Sequence, residues 1–178
     1  IDSDSEMRLT IMSSIAADEV RKLSERVRWG HKRAIEGGNV LGNSRIFGYD
    51  KDDCKLIINE SEAEMVRMIF ELYSTGDMSV RKIERILYDK GYRGRSGTRI
   101  QHNTISSIIQ NPKYKGYYCG NKVKIVDYRT KEQRFLPKEE WVMYKDETGE
   151  VVPAIVSEEI WEKCNMIFEQ RSTVIKSR

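Results

Sequence analysis

The sequence predicts an α+β fold that is mostly helical, and three observations lead to this class. A helical pattern of apolar residues runs through the first 35 positions. Three shorter helical patterns follow between residues 59 and 110, closed by glycines or by an Asn-Pro pair. Short segments rich in β-branched and aromatic residues flank these patterns. We therefore expect a long N-terminal helix, a compact helical unit with a short β-hairpin and strands, and a C-terminal helix.

The first element is an amphipathic helix over residues 5–35. Its apolar stripe recurs at spacings of three and four and consists of Leu9, Met12, Ile15, Ala16, Val20, Leu23 and Val27. A helix of about 30 residues spans about 45 Å, which is too long to be buried within a domain of this size. Much of the stripe should therefore pack against another chain or another domain. The last third of the helix is basic and includes Arg28, Lys32 and Arg33.

A connector and a hairpin are predicted next. Gly37-Gly38 ends the long helix, and residues 37–44 are expected to be a flexible connector. Residues 46–50 and 55–59 are predicted to form a short hairpin around an acidic turn. This turn lacks the ligand spacing of a calcium loop, so we expect no metal. An open alternative is a metal-dependent nuclease that uses Asp50, Asp52 and Asp53.

Three helices then follow in close order. The first starts at Asn59 or Glu60 and ends at Gly76, and the second has Ser79 as its N-cap and Gly91 as its terminator. The third covers residues 101–110. Its apolar face is predicted to be Ile105, Ile108 and Ile109, which turns Asn103, Ser106, Ser107 and Gln110 outward.

The remaining chain is predicted to contain two strands and a closing helix. The strands cover residues 117–128 and 141–145, with a polar, basic excursion over residues 129–140. The closing helix begins at the N-cap Ser157. Its buried residues are expected to be Ile160, Trp161, Cys164, Ile167 and Phe168.

Composition excludes several classes of protein. The sequence contains no run of about 18 apolar residues and no signal-peptide pattern at Ile1-Asp2-Ser3-Asp4, so an intracellular setting is expected. Cys54, Cys119 and Cys164 are scattered without a CxxC pair, so neither a zinc site nor a disulfide framework is predicted. We expect no cofactor.

The distribution of charge points to a polyanion. Residues 90–126 carry eight basic residues and no Asp or Glu, although the net charge of the whole chain is only +3. A surface of one sign is typical of a protein that binds nucleic acid, and acids from elsewhere in the fold are the alternative explanation. The third short helix adds hydrogen-bonding side chains that suit base edges, between flanks that suit phosphates. This composition favours duplex DNA as the partner.

Four ordered motifs resemble the large serine recombinases. They are Ala17-Asp18-Glu19 to Ser24-Glu25-Arg26-Val27 with Gly30, Phe47-Gly48-Tyr49, Asn111-Pro112-Lys113-Tyr114-Lys115-Gly116, and Pro153-Ala154-Ile155-Val156-Ser157. The sequence departs from the family pattern at Ile100, where a tryptophan is expected, and at Ser44-Arg45, where a proline is common. These departures affect local packing.

The resemblance implies a division of the chain. Residues 1–36 resemble the helix that leaves the catalytic domain and joins subunits, and residues 37–45 the linker along the minor groove. Residues 46–172 resemble the recombinase DNA-binding domain, and residues 173–178 a tail toward a zinc-ribbon region. The nucleophilic serine of the family lies in another domain, so this chain is expected to be a non-catalytic fragment.

The expected function is sequence-specific binding of one attachment half-site. The parent would be a bacterial, phage or transposon recombinase of the cytoplasm that self-associates as a dimer or tetramer and integrates or excises a mobile element. A stand-alone helix-turn-helix transcription regulator remains the alternative. The predicted DNA-binding residues are Arg28, Lys32, Arg33, Asn43, Arg45, Arg93, Arg95, Arg99, Gln101, His102, Asn103, Ser106, Ser107, Gln110, Lys113 and Lys115.

Overall fold

The computed structural model describes residues 3–41, 45–120, 122–127, 130 and 132–176. Its helices are α1 (Ser3–Glu36), α2 (Glu60–Ser74), α3 (Val80–Asp89), α4 (His102–Gln110) and α5 (Glu158–Lys176). Its strands are β1 (Tyr49–Asp52), β2 (Lys55–Ile58), β3 (Tyr117–Gly120), β4 (Val123–Asp127), β5 (Glu132–Phe135) and β6 (Val142–Lys145). Short 3-10 turns cover Pro112–Lys115 and Lys138–Glu140. The predicted α+β class with a long N-terminal helix is confirmed.

The core is built around α2, which packs against α3, α4 and α5. The buried side chains of α2 recur at helical spacing and are Ala63, Met65, Val66, Ile69, Phe70 and Tyr73. The other three helices contribute Ile83, Leu87, Ile105, Ile108, Ile109 and Cys164. Full burial of a large apolar side chain stabilises a fold by about 1.5 to 3 kcal/mol, so this cluster is what holds the four helices together.

Local capping explains where the short helices begin and end. Asn59 Oδ1 accepts a hydrogen bond from the Glu62 amide, and Ser79 Oγ accepts one from the Lys82 amide at 3.2 Å. Such bonds satisfy amides that have no partner inside the helix. Beyond the helix ends, Gly76 and Gly91 adopt positive φ angles, which cost glycine little. The predicted starts and ends of α2 and α3 are confirmed.

The closing helix α5 also begins as predicted. Ser157 Oγ accepts a hydrogen bond from the Ile160 amide at 3.4 Å, and Cys164 is fully buried. Burial of Ile160 was expected, and that expectation is wrong because its side chain is 36% exposed. Ile160 lies in the first turn of α5. The contact with α2 is made one turn later, where the Cys164 thiol donates to the Phe70 carbonyl oxygen.

The strands form three antiparallel pairs, β1–β2, β3–β6 and β4–β5. A single strand over residues 117–128 was predicted wrongly, because β3 and β4 in that segment pair with different strands. The polar excursion predicted over residues 129–140 is also wrong in part, since it contains β5. Every side chain of β5 is exposed, so no alternation of apolar and polar residues marks this strand.

The long helix α1 is anchored near its C-terminal end. Ile35 is buried and lies against β3, where Gly120 permits the close approach because a Cβ there would overlap Ile35 Cδ1. The predicted stripe along the rest of α1 is exposed, with Leu9, Met12 and Leu23 each more than half accessible. Across the described residues, every helix falls short of the length and apolar character that a membrane span needs.

The first part of the predicted connector is packed, which corrects the expectation of flexibility over residues 37–44. Val40 is buried, and its amide donates to the Cys54 carbonyl oxygen at 2.9 Å. The Leu41 amide and carbonyl oxygen both bond the Tyr118 hydroxyl, at 2.9 and 2.8 Å. Residues 42–44, including the predicted groove contact Asn43, lie outside the described residues.

Candidate nucleic-acid interface

Helix α4 presents a polar face opposite a buried apolar one. Ile105, Ile108 and Ile109 are buried, whereas Asn103 and Ser107 are exposed and Ser106 and Gln110 are half-buried. Two of these polar groups bond the preceding turn: Ser107 Oγ donates to the Asn103 carbonyl oxygen, and Gln110 Nε2 donates to that of Ser106. The side-chain amide of Asn103 and the side-chain oxygen atom of Gln110 therefore remain available to an outside partner.

A cavity of about 420 Å³ lies beside the N-terminal end of α4. Gln101 occupies the N-cap position without a side-chain capping bond, so its own amide group is available. Arg45 and Arg99 line the same cavity together with Thr104. A helix N-terminus surrounded by cations attracts anions, because the backbone amides and the helix dipole add to the side-chain charge.

A second cavity, of about 350 Å³, lies beside the C-terminal half of α4. Its polar wall contains Thr104 and Ser107 of the helix, and its cations are Arg45, Lys113 and Lys122. Arg45 thus borders both cavities, which follow one another along the Thr104 side of α4. The fold brings the end of the linker and the basic stretch together along one edge of the polar helix face.

Arg95 has its guanidinium engaged within the chain. Its Nε and Nη2 each lie 2.7 Å from the carboxylate oxygens of Glu62, and Nη2 also donates to the carbonyl oxygens of Ile46 and Tyr49. The hydrogen bonds from Arg95 hold the pKa of the Glu62 carboxyl below its ordinary value. The phosphate contact predicted for Arg95 stays a prediction, and the observed contacts tie α2 to the start of the first hairpin.

Two further arginines near α4 also have partners. Arg93 lies 3.9 Å over the Tyr88 ring, and Arg99 pairs with Glu84 at 2.8 Å. His102 Nδ1 lies 3.5 Å from the same Glu84 carboxylate. Arg93 and Arg99 remain exposed, so these pairings leave them accessible to a polyanion.

Lys115 lies in an ion-pair cluster with α5. Its Nζ lies 3.3 Å from Glu158 and 3.2 Å from Glu162, and over the Trp161 and Tyr117 rings. The side chain is only 10% exposed. The predicted phosphate contact of Lys115 stays a prediction, and the contacts observed are those of a cation that holds α5 in place.

The basic end of α1 is accessible. Lys32 lies 3.7 Å from Glu36, and Arg33 stacks at 4.5 Å over the exposed Trp29 ring. Arg28 is half-buried and lines a groove of about 530 Å³ between α1 and β4. These three predicted contacts lie on a different element from α4.

The acidic turn of the first hairpin shows no arrangement for a metal. Asp50 accepts a hydrogen bond from Asn59 Nδ2 at 2.9 Å. In the part of the chain that the structure describes, no three His, Cys, Asp or Glu side chains are grouped so that they could hold an ion. Nothing in this geometry favours the metal-dependent nuclease.

The family model named Recombinase matches residues 60–171, which is more than half of the chain. The chain belongs to the Recombinase family. The matched region contains α2 to α4, β3 to β6 and α5 up to residue 171, and therefore the whole of the polar helix face. Arg45 and Phe47, which line both cavities, precede this region. The domain boundaries inferred from the resemblance stay predictions.

Individual relatives agree with this family. A curated protein of Bacillus subtilis (strain 168), named "Putative DNA recombinase", is 25% identical over 182 residues, which cover 94% of this chain and 35% of the relative. A solved structure described as "Crystal Structure of a LSR-DNA Complex" is 26% identical with a TM-score of 0.56, over 83% of this chain and 38% of that one. The resemblance to large serine recombinases is confirmed.

A second solved structure is described as "Sequence Requirements of the Listeria innocua prophage attP site". It is 27% identical with a TM-score of 0.57, over 81% of this chain and 51% of that one. The present chain thus spans about a third to a half of the length of these relatives.

Three of the motifs that carry the family resemblance meet at Tyr114. Its hydroxyl donates to the Phe47 carbonyl oxygen at 2.9 Å, and its ring stacks on Tyr49 at 5.7 Å. Its carbonyl oxygen accepts from the amides of Ile155 and Val156 at 3.0 and 3.1 Å. Burial raises the pKa of the Tyr114 phenol well above its ordinary value, so it remains a donor. In this Recombinase domain the three motifs pack together shortly after the end of α4.

Sequence reasoning missed two residues of the candidate interface, Thr104 and Lys122. Thr104 lies three residues before Ser107, so the helical repeat could have placed it beside the polar face. Lys122 belongs to the basic stretch, but its sequence position in a strand region concealed its closeness to α4. Of the predicted contacts, Arg45, Ser107 and Lys113 meet in one cavity, whereas the basic end of α1 and Lys115 lie elsewhere.

Proposed function

We propose that this chain binds one half-site of a specific DNA duplex and does not itself cut the duplex. The observation that carries this proposal is α4, whose uncharged hydrogen-bonding face is bordered along one edge by two cavities that are lined by cations. An α-helix fits the major groove, where Asn and Gln can bond adenine N6 and N7. Cations beside this face suit the phosphates that border the groove.

The comparisons support the same partner. One similar solved structure is described as a complex with DNA, and the similarity extends over most of the present chain. We propose that Asn103 and Ser107 contact bases, and that Arg45 lies near the backbone. The basic end of α1 would contact the duplex nearer the centre of the site, through Arg28 and Arg33.

The parent protein of such a chain would recombine a mobile element in the cytoplasm. We further propose that it self-associates through α1, because the apolar stripe of that helix is exposed along most of its length. Isolated exposed apolar side chains are common on protein surfaces, but a continuous stripe of this kind favours a partner helix.

The decisive experiment separates base contacts from phosphate contacts. A duplex is first selected from a random library by binding to the unmodified chain, and affinities for it and for random duplex are then measured at two salt concentrations. Asn103→Ala should weaken binding to the selected duplex by about 1 to 3 kcal/mol and leave binding to random duplex nearly unchanged. Gln170→Ala, an exposed amide on α5, is the matched control.

Two outcomes would contradict the proposal at different levels. If Asn103→Ala lost equal affinity for the selected and the random duplex, the assignment of α4 as the base-reading helix would be contradicted. Failure of the unmodified chain to enrich any duplex would overturn specific DNA binding itself.

A further inference from the structure

The cavity beside the C-terminal half of α4 contains a buried cation that lacks a counter-ion. Lys113 is only 8% exposed, and its Nζ lies 4.9 Å over the Tyr118 ring. Among the described residues, no carboxylate lies within ion-pair distance of this ammonium, and the charges of Lys122 and Lys51, which act on it, have the same sign. A buried cation in such surroundings is costly until an anion joins it.

The surroundings of Lys113 explain why its pKa is lowered. Burial, joined by the charges of Lys122 and Lys51, lowers the pKa of Lys113 to about 8. The Cys119 thiol acts in the opposite direction. Among the residues that the structure describes, the titratable or charged groups that face this residue or share its cavity are Tyr49 and Lys51 of β1, Tyr114 of the 3-10 turn, Tyr118 and Cys119 of β3, and Arg45 and Lys122.

The lining of the cavity also contains hydrogen-bonding groups, next to the apolar side chains of Ile46, Phe47 and Ile108. Thr104 and Ser107 place hydroxyl groups on the side of α4, and Asn111 lies at the end of the same helix. A volume of about 350 Å³ is ample for one phosphodiester group with part of its sugar. Hydroxyl groups and cations are the side chains that most often contact the oxygens of DNA phosphates.

We infer that this cavity binds a single backbone phosphate of the duplex, with the Lys113 ammonium as its inner cation and Lys122 and Arg45 at its rim. This site rests on the proposed function and adds to it a fixed point of contact beside the base-reading face of α4. It also gives DNA binding a proton linkage. A phosphate beside Lys113 favours its charged form, so the complex takes up protons in the pH range where the free chain is partly deprotonated.

The first test removes the charge of Lys113 and keeps an unbranched apolar side chain in its place. Lys113→Met should lower affinity for a labelled random duplex about tenfold at about pH 7, and should reduce the slope of log affinity against log salt by about 0.9. Lys163→Met, which removes the same charge from an exposed position on α5, is the matched control and should change neither value by as much. Thermal unfolding of both variants shows whether each remains folded.

The second test measures proton uptake, first with the unmodified chain and then with the variant. Calorimetric titration with duplex at about pH 8, in two buffers of different ionisation enthalpy, should show uptake of up to about half a proton per complex. Lys113→Met should abolish this uptake, which separates Lys113 from other titrating groups.

The outcomes distinguish this site from the proposed function. If the unmodified chain binds duplex but takes up no protons, or if Lys113→Met keeps the full affinity and salt slope, the phosphate site is overturned and DNA binding stands. If the unmodified chain binds no duplex at all, both proposals fail together.

Discussion

At the scale of single residues, the hydroxyl group of Tyr114 is the clearest target. Tyr114→Phe leaves the ring stacked on Tyr49 and removes only the donor to the Phe47 carbonyl oxygen. We expect a loss of about 1 kcal/mol in the free energy of unfolding, because a partly buried carbonyl oxygen loses its partner. Urea unfolding followed by circular dichroism measures this loss. Tyr88→Phe, at an exposed ring, is the control, and an equal loss in both variants would contradict the assignment.

Individual residues also show what the sequence could and could not predict about the interface. The basic stretch over residues 90–126 was visible from composition, and so was the polar face of α4. The partners of each cation were not visible, because Glu62, which binds Arg95, and Glu158, which binds Lys115, lie more than 30 positions away in the sequence. Ion pairs between distant segments have no local pattern, so charge alone cannot separate a free cation from a paired one.

At the scale of elements, the pair between Arg95 and Glu62 ties the loop before α4 to α2. The pKa of the Glu62 carboxyl is lower in the folded chain than in the unfolded chain. The stabilisation that the Glu62 carboxylate gives to the fold is therefore fully present above its pKa in the unfolded chain, about 4.3. It is lost as the pH falls through its lower pKa in the folded chain. Acid should weaken this connection before it weakens the apolar core.

Glu62→Gln tests this connection. The variant should be less stable than the unmodified chain by about 1 to 3 kcal/mol near pH 7, because the Arg95 guanidinium loses its charged partner. The difference should shrink as the pH falls below about 4, where the unmodified chain also loses the charge. Unfolding in urea over a series of pH values gives the measurement. Glu71→Gln on the exposed side of α2 is the control, and a difference that does not depend on pH would contradict the pairing.

Elements with local signals were predicted well. The limits of α2 and α3 followed from Asn59, Ser79 and two glycines, because capping bonds and positive φ angles depend on neighbouring residues. The pairing of β3 with β6 joins Tyr117 to Lys145 across an inserted hairpin, and no local pattern indicates that register. Strand partners over such distances are decided by the packing of the whole chain.

At the scale of the whole molecule, the exposed stripe of α1 determines the expected assembly. In the full-length protein, replacing Leu9 and Leu23 by Glu should weaken self-association at least about tenfold, because two apolar contacts become charged and must be desolvated. Sedimentation velocity over a range of concentrations gives the measurement. The same change at Met166, an exposed apolar residue of α5, is the control. Unchanged association of the stripe variant would show that α1 is not the interface.

The contact between Ile35 and Gly120 gives each residue of α1 a defined direction around the helix axis. The last turn is fixed, so the direction of every earlier side chain follows from its distance in sequence from Ile35. One inserted residue would rotate the whole stripe by about 100°, whereas seven would return it to within about 20° and lengthen the helix by about 10 Å. The number of residues in α1 therefore encodes two separate quantities, the angle at which the stripe faces a partner and the distance over which it reaches.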